Sequence, residues 1–172
     1  MNIKITRKHL LILLVFYSST ALIFAYISQF GFDYQPCILC LYQRKPFFAI
    51  IALASLTLIF FKSEQSQKIT FFLCIFFLLI NAGIATYHVG VEKKVFKGPT
   101  TCSSENLNDF ENLEDLRIAL TKTKAIRCDD PSFVFLGLSM AAWNLIYCLF
   151  LAGISLFLDR KTFASATRTI GR

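Results

Sequence analysis

Residues 69–89 read ITFFLCIFFLLINAGIATYHV, a run without a single Lys, Arg, Asp or Glu. A helix needs roughly 20 apolar residues to cross the hydrocarbon of a bilayer, and this run supplies them. Working outward, three further stretches have the same character: about Leu10–Ser28, Leu41–Phe61 and Phe133–Leu158. The last is long, which predicts a tilted span. Of the 172 residues, 55% are hydrophobic, 19 are Phe, and only 17% are charged. A soluble domain of this size would need more polar surface. The expected fold class is therefore an all-α membrane protein, a four-transmembrane-helix bundle forming a single integral membrane domain over residues 1–172.

The net charge of +7 does not point to nucleic acid. Much of the excess lies in short segments between apolar runs, the pattern of membrane topology. Lys4, Arg7 and Lys8 precede the first run, as in a signal peptide. No small-x-small site closes it, so an uncleaved anchor is expected. Four spans put both termini on one side. That side would hold Lys4, Arg7, Lys8, Lys62, Lys68, Arg160, Lys161, Arg168 and Arg172. The other would hold Arg44, Lys45, Lys93, Lys94, Lys97, Arg117, Lys122, Lys124 and Arg127. The counts tie. The first set is the denser, which favours cytoplasmic termini, although Lys93, Lys94 and Lys97 lie near a membrane end and pull the other way.

The six cysteines sort by position. Cys74 and Cys148 fall inside spans, where free cysteines behave as small hydrophobes. Cys37 and Cys40 precede the second span as Pro36-Cys37-Ile38-Leu39-Cys40. Cys102 and Cys128 lie in the long loop after the third span. The two loops, about 29–40 and 90–132, share one side whichever way the chain faces. A Cys-x-x-Cys spacing lets two thiols close a small, exchangeable ring, and a helix N-terminus or a cation can stabilise the thiolate. Arg44 lies one helical turn after Cys40, and Pro46 fits a first turn if the helix begins beside it. Arg44 and Lys45 would also serve as headgroup anchors. Zinc ribbons show two close pairs, whereas Cys102 and Cys128 are far apart, so no metal is expected. Four cysteines allow three disulfide connectivities; local spacing favours Cys37–Cys40, leaving Cys102–Cys128, and the state at rest stays open.

Asn108-Asp109-Phe110-Glu111 reads as a helix start, and Phe110, Leu113, Leu116 and Leu120 follow at helical spacing. With Arg117, Lys122 and Lys124 nearby, a short amphipathic helix on the membrane surface is expected, or else one that caps the loop's own small core. Asn81 and Asn144, among the small residues Ala82, Gly83, Ala85, Gly137, Ser139, Ala141 and Ala142, suit close helix packing and interhelical hydrogen bonds.

Four motifs, in order, resemble the bacterial disulfide-bond-formation protein B (DsbB) family. They are Cys37-Ile38-Leu39-Cys40-Leu41-Tyr42-Gln43-Arg44, Tyr87-His88-Val89-Gly90-Val91-Glu92, and Gly98-Pro99-Thr100-Thr101-Cys102. The last is Cys128-Asp129 followed by Phe135-Leu136-Gly137-Leu138-Ser139-Met140 and Trp143-Asn144. The likeness runs from the first span to the fourth. Val95-Phe96 and Phe133 depart from it, standing where members often carry Trp. The resemblance implies a quinone-dependent thiol oxidase in the bacterial inner membrane, multi-pass, with both cysteine loops periplasmic and both termini cytoplasmic. Its cofactor would be ubiquinone or menaquinone. Its partner would be a periplasmic thioredoxin-fold protein of the DsbA type, general or dedicated, with membrane lipid around it and no nucleic acid.

On that resemblance, Cys102/Cys128 meets the partner, and Cys37/Cys40 passes the electrons on, Cys40 acting through its thiolate. Arg44 and His88 are the candidate quinone-binding residues; Glu92 is a weaker one. Two other readings remain at this level. A relative of vitamin K epoxide reductase would carry its Cys-x-x-Cys after the loop pair, whereas here it comes before. A tetraspanin-like organiser would carry a Cys-Cys-Gly signature, which is absent.

Overall fold

The computed structural model describes residues 6–99, 128–129 and 133–170, with side chains through Lys161. Cys102 and the expected Asn108–Lys124 helix lie outside the described residues. Four helices are long and apolar enough to cross a membrane. They are α1 (Arg7–Gly31), α2 (Ile38–Phe60), α3 (Glu64–Glu92) and α4 (Met140–Ile170, apolar through Lys161). A two-residue hairpin, β1 (Val134–Phe135) with β2 (Leu138–Ser139), precedes α4.

Local chemistry sets the ends. The Cys37 sulfur caps α2 by accepting the Cys40 N–H at 3.4 Å. Ser63 caps α3 by accepting the Ser66 N–H at 3.2 Å, with Glu64 against the positive end of the helix. Only Phe61–Ser63 separate α2 from α3, so the two must run antiparallel. The apolar run from Phe133 is not all helix. Leu136 and Gly137 take φ of 52° and 78°, the left-handed pair that closes a two-residue hairpin. Helix therefore starts at Met140, where the Ser139 hydroxyl accepts the Ala142 N–H at 3.2 Å. Pro46 is not in a first turn either. Because α2 begins at Ile38, it stands inside the helix, where it has no N–H to offer the Tyr42 carbonyl.

α3 packs along α2 on one side and α4 on the other, and α1 lies mainly against α2. Leu10, Leu11, Leu14, Ile50, Phe71, Cys74, Leu78 and Cys148 form the centre, all nearly fully buried. Cys74 and Cys148 are free thiols there, as their positions within the spans imply. Phe16, Phe24, Phe60, Phe76, Phe150 and Phe157 point outward, which is where lipid would lie. Lipid tails are as apolar as these side chains, so helix association rests on packing and polar ties. Thr57 and Thr70 join α2 to α3 at 2.7 Å, and the Tyr147 hydroxyl donates to the Tyr17 carbonyl at 2.9 Å. At the far end Arg7 donates to Asp159 at 2.9 Å, fixing the start of α1 beside the end of the apolar part of α4.

Candidate active site

Cys37 stands at the N-cap of α2, where its sulfur meets the positive end of the helix. Cys37 and Cys40 are free thiols with sulfurs 3.3 Å apart. The local spacing that favours a Cys37–Cys40 bond thus brings the pair into contact, here in the dithiol form. From α3, His88 Nε2 approaches Cys37 Sγ at 3.5 Å. The Cys40 thiol hydrogen bond, then His88, then the Cys40 N–H outweigh burial and bring Cys37 down to about 4. In the reduced pair these contacts favour negative charge on Cys37. The helix cap and the histidine both address Cys37, the first cysteine of the pair.

Behind His88 runs a chain of amides into the bundle. Gln43 Nε2 lies 3.0 Å from His88 Nδ1. Gln43 Oε1 accepts from Asn144 Nδ2 at 2.9 Å, and the same nitrogen donates to Asn81 Oδ1 at 3.3 Å. With Nδ1 accepting from Gln43, the ring proton sits on Nε2, facing Cys37. Glu92, one turn on, places Oε1 3.7 Å from that nitrogen. Gln43 was not singled out by sequence reasoning. Its place three residues after Cys40 was the signal, since that spacing puts both on one face of the helix. Asn81 and Asn144 do form interhelical hydrogen bonds, but in one network with the cysteine pair.

Arg44 reaches across onto α1. Its guanidinium donates to Gln29 Oε1 at 2.7 Å and to the Ala25 carbonyl at 3.5 Å, and lies 4.9 Å over the Tyr26 ring. Gln29 and Tyr26 were likewise unforeseen, because a contact between helices leaves no trace in spacing.

Cys128 is disulfide-bonded; its partner lies outside the described residues. It is buried in one small cluster with Cys37, Leu39 and Val91, with Ile38 and Cys40 packed against it. A disulfide-bonded cysteine of the long loop thus shares a buried cluster with the Cys-x-x-Cys pair. The family model described as disulfide bond formation protein DsbB matches residues 7–158. The chain belongs to the DsbB family. An uncharacterized protein of Rickettsia prowazekii is 30% identical, covering 90% of each chain. The disulfide bond formation protein B of Xylella fastidiosa (strain Temecula1) is 29% identical over 81% of this chain and 82% of its own. That of Cupriavidus necator is 29% identical over 72% and 74%. No solved structure matches. As a DsbB family member the protein is a multi-pass membrane oxidoreductase of disulfide-bond formation.

Proposed function

We propose that this DsbB family protein is a quinone-dependent thiol oxidase that reoxidises a DsbA-type dithiol protein on the periplasmic side of the bacterial inner membrane, with both termini cytoplasmic. The burial of the Cys128 disulfide against Cys37 and Cys40 carries the reading, because two redox pairs exchange only on contact.

The partner's thiolate attacks Cys102, forming a mixed disulfide and releasing Cys128 as a thiolate. The partner's second thiol then resolves that disulfide and leaves oxidised. Cys128 attacks Cys37, its neighbour in the buried cluster, and breaks the Cys37–Cys40 bond. Cys40 leaves as a thiolate one turn from Arg44, whose charge favours it. Cys102 next attacks Cys128, restoring the loop disulfide and leaving Cys37/Cys40 as the dithiol. His88 and the Cys40 N–H hold the charge on Cys37, and Gln43 holds His88 in register. The donor set fits a quinone: a guanidinium for a carbonyl oxygen, a thiol pair beside it, and exposed Phe30 and Leu41 facing lipid. Arg44, steadied by Gln29 and Tyr26, would hold it with help from His88. Such a group would supply the oxidant that takes two electrons and two protons from the dithiol.

The energetics require that sink. A DsbA-type partner sits at about −120 mV and ordinary structural disulfides below about −300 mV, a gap worth roughly 8 kcal/mol for two electrons; the DsbA–DsbB–quinone relay is itself the known case of this poise. The purified protein, loaded with quinone and given reduced partner, should couple partner oxidation to quinone reduction. Cys128→Ser should accumulate a partner adduct on Cys102. Uncoupled thiol and quinone traces with all four loop cysteines intact would end the proposal.

A further inference from the structure

We propose that the reduced Cys37/Cys40 pair, with His88 and Glu92, is a binding site for a thiophilic divalent cation of the zinc class, one that holds the dithiol and blocks its oxidation. The binding rests on geometry alone; its consequence for turnover rests on the oxidase reading above.

The distances suit such an ion. Tetrahedral zinc at bond lengths of about 2.3 Å to sulfur and about 2.0 Å to nitrogen or oxygen sets edges of roughly 3.7 Å between sulfurs, 3.5 Å from sulfur to nitrogen and 3.3 Å from nitrogen to oxygen. The observed values are 3.3 Å for Cys37 to Cys40, 3.5 Å for Cys37 to His88 and 3.7 Å for His88 to Glu92. The cysteine sulfurs and a ring nitrogen all lie within 4.8 Å of one another. Glu92 lies outside that compact set of three and would have to swing toward the sulfurs to complete the figure.

The surroundings suit it as well. A ligating histidine usually gives its other N–H to a carbonyl. The amide of Gln43 lies at Nδ1, held from behind by Asn144. Turned over, it offers Oε1 to an Nδ1–H and frees Nε2 for a metal. Asn144 and Asn81 would have to turn with it, since donors and acceptors alternate along the chain. That turn uses Asn81 Nδ2, a buried donor without a partner among the described residues. Zinc has no redox chemistry of its own. It would bind the dithiol and not the disulfide, so its effect would be confined to the reduced protein.

The test titrates Cd2+ into the full-length protein in detergent and follows the thiolate-to-metal absorption band, with Zn2+ as competitor. The reduced protein should show one equivalent of Cd2+, displaced by Zn2+. The band should vanish on oxidation and in Cys37→Ser. His88→Ala should weaken binding at least tenfold, and Glu92→Gln should weaken it severalfold, with cooperative melting confirming that each variant is folded. Zn2+ should arrest quinone reduction until a chelator is added. No stoichiometric band in the reduced wild type, or equal affinity in His88→Ala and Glu92→Gln, overturns the site. A normal band in a protein that fails to couple thiol and quinone would count against the oxidase reading and leave the site standing.

Discussion

Asn144→Leu tests whether the amide chain is structural glue, a support for His88, or both. Asn144 Nδ2 donates to Gln43 on α2 and to Asn81 on α3. A leucine there leaves two buried carbonyl oxygens facing a side chain that offers nothing. In water each would cost about 1–3 kcal/mol. Between membrane helices the measured figure is smaller, averaging about 0.6 and reaching about 1.7 kcal/mol, because the separated helices also find partners. Leucine recovers little, since burial from lipid brings no hydrophobic gain. Two bonds then give a loss of about 1–2 kcal/mol. Unfolding by increasing mole fraction of denaturing detergent in mixed micelles reads that loss directly.

A second readout separates glue from support. Without Asn144, nothing fixes which end of the Gln43 amide faces His88 Nδ1. The ring then loses its preference for Nε2–H, and Cys37 loses part of what holds its charge. As pH is lowered, alkylation of reduced Cys37 should begin to fall at a higher pH in Asn144→Leu than in wild type. Combined with Gln43→Leu, the two losses should fall short of additive, with a coupling of about 0.5 kcal/mol or more. Wild-type stability together with wild-type Cys37 alkylation would refute the chain as anything but coincidence of packing.

Three further outcomes follow from the same geometry. Because the Cys40 and His88 hydrogen bonds bring Cys37 down to about 4 from the ordinary 9.0, the thiolate persists as pH falls; alkylation of Cys37 in the reduced protein, read by mass spectrometry, should stay level from pH 8 to pH 6, whereas a tenfold fall per pH unit would mean an ordinary thiol. At Gly90 an added Cβ would clash with one edge of the Phe96 ring, so Gly90→Ala should cost about 1 kcal/mol or a little more by displacing a ring stacked on Tyr87, and it should lower the melting temperature in Phe96 protein but much less in a Phe96→Ala background. Arg44→Lys keeps the charge but loses the fork shared by Gln29 and Ala25; at about 1.5 kcal/mol or more for a charged hydrogen bond, the apparent quinone KM should rise at least tenfold while thiol exchange with the partner protein is unchanged, and equal KM values would remove Arg44 from the quinone site.

The bundle was legible in the chain because its cause is one-dimensional. An uncharged run such as residues 69–89 has one low-energy fate in a bilayer, and four such runs fix the parity that puts both cysteine loops on one side. Where two causes competed along a single run, the apolar pattern misled: residues 133–139 are apolar enough to be helix, yet Leu136 and Gly137 turn the chain first. Pro46 was misplaced for a related reason, since the start of α2 is set by a cysteine acting as a cap, a role in which serine or aspartate is the usual sign. The chemistry of the site was legible as residue types and not as roles. Cys37, Cys40, Arg44 and His88 stand out in the sequence, but that His88 meets Cys37 at 3.5 Å follows from α3 crossing α2 at that level. Cys128 likewise shares a buried cluster with Cys37, together with Leu39 and Val91. Two residues separated that far along the chain come together through packing, so this is the least readable feature and the one on which the proposed exchange between the two pairs would depend.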